Sequence, residues 1–287
     1  MRTSERTRTY TAWRAGLAAA TALAAALAAS APTADGADDV LLRYKFRPGE
    51  RVTYVTTSEE RVDAVMGSLS KNETTSTRET MVVEVRGAAA DGSGELSFRF
   101  PATVVSGDGK LAEERRRRAE ALERVEIRTR VDARGKTLTF EALGATPEAG
   151  TEDSLREKVR LEALPADRAR PGATWADETH LTLFSGVTVR VSLGYELAKV
   201  HDLLGHSNAV VNMTAKLEAA DLPPELAGSM TIEGDSTGRG LFDVGEGRYV
   251  SLEAKQRLHV LAGKDAATMT LDVTGTVKTT VSKVDRR

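Results

Sequence analysis

The chain has 287 residues, in which 40 Lys and Arg nearly balance 42 Asp and Glu, and it contains no cysteine. The length predicts one or two domains, and the near-zero net charge of −2 argues against nucleic acid as a partner. The lack of cysteine excludes disulfides, thiolate metal sites, iron–sulfur clusters and a cysteine nucleophile.

The first 30 residues have the layout of a secretory signal peptide. Four arginines precede an uncharged Ala/Leu run, Ala15 to Ala29, and small residues follow it as a cleavage site. This run is shorter than the ~20 residues of a membrane-spanning helix. We therefore expect an exported protein, periplasmic or extracellular, with a signal peptide over 1–30 and a disordered linker over 31–39. No integral membrane span is expected after leader removal.

Alternation of apolar and polar residues dominates the chain from residue 50 onward. One apolar face carries Val250, Leu252, Ala254, Gln256, Leu258 and Val260. Similar runs occupy 96–104, 125–131, 187–197, 209–217 and 269–281. Apolar residues with a period of two cannot all lie on one side of a helix. This period is typical of antiparallel strands that have one buried face and one solvent-exposed face. About eleven strands are expected, separated by Gly and Asp turns.

Helical patterns are few. The segments Lys110–Arg124 and Glu152–Leu164 have rough helical spacing, and Pro165 would stop the second one. Leu217–Leu226 contains two prolines and is predicted to be a turn-rich crossover. The predicted class is mainly β, with long antiparallel strands in a curled sheet, open barrel or sandwich and one or two short helices.

The mature chain reads as two related halves. Arg47-Pro48-Gly49 resembles Arg170-Pro171-Gly172, and the turn that begins at Asp132 resembles the turn that begins at Asp243. These matches predict a first β unit over 40–146, a linker with a short helix over 147–165 and a second β unit over 166–287. The alternative is that such motifs are common turn sequences that occur in unrelated hairpins.

Three segments carry a resemblance to known proteins: Tyr44 to Tyr54, Leu164 to Trp175, and Gly238 to Arg248. Their Pro-Gly, Trp and Phe-Asp motifs resemble an uncharacterised family of secreted bacterial β-rich proteins, a domain of unknown function, over roughly residues 40–262. The resemblance implies no activity. A weaker similarity at the level of the fold is to periplasmic lipoprotein carriers, whose curled eleven-stranded sheet holds acyl chains.

One local cluster has side chains that can bind metal. His201, Asp202 and His206 could hold zinc if a turn brings them together, although no further ligand is evident nearby. The intervening Leu-Leu-Gly favours a hairpin apex with solvated polar residues. The hairpin is the preferred interpretation, and no metal site is predicted.

No catalytic or cofactor motif is found. The chain has neither a Gly-x-Ser-x-Gly elbow nor a nucleotide-binding glycine loop. His180 and His259 fall on polar strand faces, which favours surface histidines over a general base. Gly234, Gly238 and Gly240 lie within a strand pattern, which favours close backbone packing over a phosphate cradle. We expect no cofactor and no enzyme activity.

Two further features have alternative interpretations. The run Arg115–Arg118 is flanked by glutamates and predicts a solvated helix face with i,i+4 ion pairs, the alternative being contact with anionic lipid. Trp175, the only tryptophan after the leader, is predicted to pack at the seam between the halves. Alternatively, Trp175 lines a ligand cavity.

The leading functional hypothesis is an exported, non-catalytic protein that binds an apolar or lipid-like ligand on the concave sheet face. It follows from one-sided apolar strands with few helices to cover them. The first alternative is a structural module that binds other envelope proteins through exposed strand edges. The second is a hydrolase, whose spatial triad would use His180, His201, His206 or His259.

Overall fold

Eleven antiparallel strands form one continuous sheet. The computed structural model describes residues 39–146, 150–182, 187–203, 205–224, 226–263 and 268–286. The predicted signal peptide and nearly all of the linker 31–39 lie outside the described residues.

The strands are long and follow one another with two helices interposed. The elements are β1 (Arg51–Met66), β2 (Leu69–Ala88), β3 (Gly94–Ser106), α1 (Lys110–Leu122), β4 (Glu126–Val131), β5 (Thr137–Leu143), α2 (Glu152–Lys158), β6 (Thr174–Thr182), β7 (Thr188–Leu203), β8 (His206–Asp221), β9 (Met230–Asp243), β10 (Arg248–Ala262) and β11 (Met269–Asp285).

The sheet order is β5-β4-β3-β2-β1-β11-β10-β9-β8-β7-β6. Two meanders, β1–β5 and β6–β11, are joined where β1 pairs with β11, from Arg51 opposite Asp285 to Met66 opposite Met269. The sheet curls without closing. The predicted mainly-β class is confirmed, and the curled sheet is the arrangement adopted.

Period-two alternation buries one face of the sheet, which we call the concave face. Aliphatic side chains such as Val191, Val211 and Val273 lie on it and are almost fully buried. Helix α1 packs on the same face, where Leu111 joins a cluster that includes Val62 of β1. The aliphatic core expected from the alternation is therefore present.

Helix α2 lies against both edge strands of the curled sheet. The guanidinium of Arg156 lies 4.5 Å from the ring centroid of Phe140 in β5, and the Thr179 hydroxyl of β6 is 3.3 Å from Glu157 Oε2. The two edge strands thus both contact one short helix through their side chains.

Two predicted boundaries need correction. Helix α2 ends at Lys158 and not near Leu164, because the carbonyls that follow bond to distant groups: that of Glu162 accepts from Tyr44 Oη, and that of Ala163 accepts from Trp175 Nε1. The predicted crossover that begins at Leu217 starts later, because β8 continues to Asp221 in register with β7.

The two Pro-Gly turns make equivalent hydrogen bonds. The Gly49 N–H donates to the Val85 carbonyl of β2 at 2.8 Å, and the Gly172 N–H donates to the Leu197 carbonyl of β7 at 2.7 Å. Both glycines have positive φ, +82° and +88°, which favours glycine at each turn. The duplication stays a prediction, and these matching bonds support it.

The glycine-rich segment of β9 packs tightly against its neighbours. A Cβ on Gly240 would lie 2.5 Å from the Tyr249 ring and 2.8 Å from Met213 Cε. Close packing of strand and side chains therefore explains this glycine, as the strand pattern predicted.

Candidate functional site

A row of polar residues crosses the aliphatic concave face. Thr75 of β2 is opposite Glu60 of β1, and Glu60 is opposite Gly275 of β11. Gly275 is opposite Gln256 of β10, which is opposite Ser236 of β9. We call these five residues the polar row. They share one face because partners opposite each other in register point to the same side of a sheet.

Most side-chain polar atoms of this row are buried without a partner. Glu60, Thr75 and Gln256 are 1%, 2% and 8% exposed. Glu60 Oε2, Thr75 Oγ1 and both amide atoms of Gln256 make no hydrogen bond within the described ranges. Ser236 differs, since its hydroxyl donates to the Lys255 carbonyl at 3.0 Å. Such a concentration of unpaired groups is rare in a folded core.

Helix α1 brings a cation to the row. Arg115 Nη2 donates to Glu60 Oε1 at 2.5 Å, while Arg115 Nε has no partner in the described part of the chain. Burial raises the pKa of Glu60, and the charge and hydrogen bond of Arg115 offset this only in part. The pair places one positive and one negative charge at the centre of the concave face.

The prediction of a fully solvated arginine face was therefore wrong for Arg115. Only 10% of its side chain is exposed. Arg116 and Arg117, on the other side of α1, are exposed as expected. The physical reason is that α1 packs on the concave face, so one side of the helix is buried against the sheet and the other side is exposed to solvent.

A carboxylate of the sheet positions α1. The backbone N–H of Leu111 in its first turn donates to Glu73 Oε2 of β2 at 3.0 Å. Gly109, at the N-cap, provides no side-chain cap. Burial tends to raise the pKa of Glu73, but hydrogen bonds from Lys71 and from α1 backbone amides lower it overall. A negative charge at the helix N-terminus stabilises this docking.

A cavity of about 750 Å³ adjoins β8–β11. Its lining centres on one cross-strand row, Leu217, Gly234, Leu258 and Val273, and includes Met230 and Ile232. Polar and charged residues at the intervening strand positions also line this cavity: Lys216, Glu218, Glu233, Asp235, Arg257, His259 and Asp272.

A second cavity, of about 10 Å³, shares lining residues with the large cavity and with the polar row. It is lined by Ser236 and Gln256 together with Leu217, Asp235, Arg257, Leu258 and Val273, which also line the large cavity. The unpaired amide of Gln256 therefore belongs to a residue that lines a cavity beside three aliphatic residues.

One end of the concave face is an apolar rim. It is the cross-strand row Leu69, Met66, Met269, Ala262 and Met230. Leu69 is 64% exposed. Flexible methionine side chains adapt to apolar surfaces of different shapes.

The residues weighed as metal ligands lie at the β7–β8 hairpin. His201 is opposite Asn208, and Asp202 is opposite Ser207. His206 Nδ1 lies 3.1 Å from Asp243 Oδ2. Across the described residues, no three His, Asp or Glu side chains are grouped so that they could hold a metal ion. Leu204 lies outside the described residues.

Trp175 packs away from both cavities. Its ring stacks on Tyr195 at a centroid distance of 5.6 Å and an interplanar angle of 8°. Its Nε1 donates to the Ala163 carbonyl at 2.7 Å. Trp175 lines neither cavity. It holds the segment after α2 against β6, which is a structural contact.

The other histidines considered are exposed. His180 lies on the outward side of β6. His259 Nδ1 lies 2.7 Å from Asp272 Oδ1, and both side chains are about half exposed. No described helix is long and apolar enough to span a membrane.

Comparisons with known proteins do not identify a family. No family model matches the chain, and no curated protein matches it. Among solved structures, it is similar to the COG4313 outer membrane channel from Pseudomonas putida F1, with 8% identity and a TM-score of 0.21, over 87% of this chain and 100% of that chain. It is also similar to a DUF1329 family protein from Desulfovibrio piger, with 9% identity and a TM-score of 0.16, over 80% of this chain and 84% of that chain. Both TM-scores are too low to carry a functional assignment.

Proposed function

We propose that this protein is an exported, non-catalytic carrier that holds an amphipathic, lipid-like molecule on its concave face. The observation that carries the proposal is the polar row, in which Glu60, Thr75 and Gln256 have buried, unpaired atoms, and in which Gln256 lines a cavity together with Leu217, Leu258 and Val273. A bound molecule with a polar group and an apolar chain would satisfy both kinds of surface.

The energetics of unpaired groups support a bound molecule. Each buried donor or acceptor without a partner costs about 1–3 kcal/mol. A ligand that bonds to several atoms of the polar row offsets that cost, so this region contributes more to binding than a purely aliphatic surface would. The cavity of about 750 Å³ also falls within the usual size of ligand sites, roughly 300–1,000 Å³.

The apolar rim suits the entry of a chain-like ligand. Leu69 and the three methionines continue the aliphatic face to the end of the sheet. Leu217, Leu258 and Val273 lie further along the same face, next to Gln256. We propose that the apolar chain lies along this path and that the polar group meets the row.

Export is the part of the proposal that rests on the sequence. Residues 1–30 have the order of a signal peptide. N-terminal sequencing of the protein recovered outside the cytoplasm is expected to begin near residue 31. Recovery of the intact N-terminus from the cytoplasm would contradict it.

The carrier proposal is tested by extraction and by displacement. We expect mass spectrometry of the purified protein, extracted with organic solvent, to recover a lipid-like molecule. The delipidated protein is expected to bind the fluorescent probe N-phenyl-1-naphthylamine and to release it to that lipid.

Two substitutions in β10 decide which face binds. Leu258→Trp fills space on the concave face and is expected to abolish probe binding. Lys255→Trp places the same bulk on the outward face of the same strand, outside both cavity linings, and serves as the matched control. Loss of binding in the control alone would reject the concave site, and no binding by the unsubstituted protein would reject the carrier.

A further inference from the structure

We infer that the polar row selects an uncharged head group with hydroxyls, such as a glycerol ester, over a carboxylate or phosphate head group. The inference rests on the proposed carrier function and specifies the ligand class of the same site. It follows from the balance of charge and of hydrogen-bonding atoms at Glu60, Arg115, Thr75 and Gln256.

The charges that reach the row cancel. Glu60 and Arg115 form one ion pair, and Thr75 and Gln256 are neutral. Arg118, one turn further along α1, points to α2, where its Nη2 donates to Ser154 Oγ at 3.2 Å. An anionic head group would therefore lose its water next to the Glu60 carboxylate, at a row whose own cation, Arg115, is already paired.

The unpaired atoms include both donors and acceptors. Arg115 Nε and Gln256 Nε2 donate, whereas Glu60 Oε2 and Gln256 Oε1 accept. The Thr75 hydroxyl can do either. A carboxylate only accepts and leaves the acceptors unpaired. Vicinal hydroxyls donate and accept, so they can satisfy both sets.

Gly275 contributes no side chain to the row between Glu60 and Gln256. A Cβ there would approach Gln256 Nε2 to 3.1 Å. Neighbouring strands are about 4.8 Å apart, so the backbones of Glu60 and Gln256 are separated by about 10 Å. The Gln256 amide lies over this glycine, and the distance from there to Glu60 is a span that a small polyol head group can bridge.

Probes with the same dodecanoyl or dodecyl chain test the inference on the full mature protein. Isothermal titration calorimetry would compare monolauroylglycerol, laurate, dodecyl phosphate and dodecane. We expect monolauroylglycerol to bind at least about tenfold more tightly than the two anions, as expected from the loss of one or more satisfied hydrogen bonds.

Gln256→Leu is expected to abolish that preference while retaining binding of dodecane. Lys255→Leu, which changes the exposed face of the same strand, is the matched control and is expected to keep the preference. Unfolding curves of both variants establish that they fold. Equal or tighter binding of laurate or dodecyl phosphate overturns the inference and leaves the carrier intact. A protein that binds none of the four probes overturns both.

Discussion

Glu60 on β1 and Gln256 on β10 lie in one row of the concave face, with only Gly275 of β11 between them. Neither side chain is on the surface, and each keeps an oxygen without a hydrogen-bond partner among the described residues. Buried polar groups without hydrogen-bond partners lower the stability of a sheet interior that is otherwise apolar, and a bound polar group could pair with them.

Gly275→Ala tests how much space the row needs. The new Cβ would lie 3.1 Å from both Gln256 Nε2 and the Glu59 carbonyl oxygen. The amide can rotate, but the paired backbone cannot. We expect a loss of about 1 kcal/mol in the free energy of unfolding and weaker binding of monolauroylglycerol, measured by urea denaturation and calorimetry. Gly87→Ala, whose Cβ would meet only the Glu95 side chain at ordinary distances, is the control.

Arg115→Met isolates the buried ion pair. It leaves the Glu60 carboxylate without its cation, which costs about 3–5 kcal/mol in a buried pair. Replacing Glu60 with Met as well is expected to restore most of the lost stability. Arg117→Met, on the exposed side of α1, is expected to change stability by less than about 0.5 kcal/mol. Additive losses in the double variant, measured by urea denaturation, would show that the two side chains act independently.

Glu50, near the start of the described chain, pairs with two arginines of its C-terminal part. Its carboxylate accepts from Arg248 Nη1 at 2.6 Å and from Arg286 Nε at 3.0 Å. Burial alone would raise the pKa of Glu50, but these hydrogen bonds lower it overall from its ordinary value of 4.5. Its contribution to stability is therefore present above pH 4.5 and is lost as the pH falls through the lowered folded-state pKa.

Glu50→Gln removes that contribution. We expect a loss of about 2 kcal/mol at pH 7, typical of hydrogen bonds to a charged group. The difference between the variant and the unsubstituted protein is expected to shrink as the pH falls below 4.5. Glu253→Gln, in an exposed pair with Lys278, is expected to cost less than about 1 kcal/mol. A constant difference from pH 7 to pH 3 in thermal unfolding would contradict the lowered pKa.

Trp175→Phe separates a structural tryptophan from a ligand contact. Phenylalanine can still stack on Tyr195, but the Ala163 carbonyl loses its donor. We expect a loss of about 2 kcal/mol in stability with unchanged ligand affinity, since Trp175 lines neither cavity. If a variant that remains folded binds the ligand less tightly, Trp175 contacts the ligand and this prediction is wrong.

Strand alternation predicted the sheet well, because burial of one face leaves a pattern of period two in the sequence. Gly234 and Gly240 of β9 were also correctly assigned to close packing. The end of α2 was not predictable, because the carbonyls of Glu162 and Ala163 bond to Tyr44 and Trp175, which are distant in sequence. Local patterns do not contain such tertiary bonds.

The polar row was missed, although part of its signal was visible. Gln256 interrupts an otherwise apolar face, yet one polar residue in one strand has little meaning on its own. It becomes a site only when the register places it beside Glu60 and Thr75, and when α1 adds Arg115. The register across β1 and β11 joins residues more than 200 positions apart in sequence, and one sequence does not specify it.

The pairing of β1 with β11 has a consequence for how the molecule assembles. In the described sheet, every other neighbouring pair of strands is also consecutive along the chain. Each hairpin can form as it leaves the ribosome. The pairing of β1 with β11, which joins the two meanders, cannot form until residues 269–285 have been synthesised. Until then β1 and β10 present open edges, which are sites for aggregation. We therefore expect slow final folding, governed by this long loop closure, and a need for chaperones to shield the nascent chain.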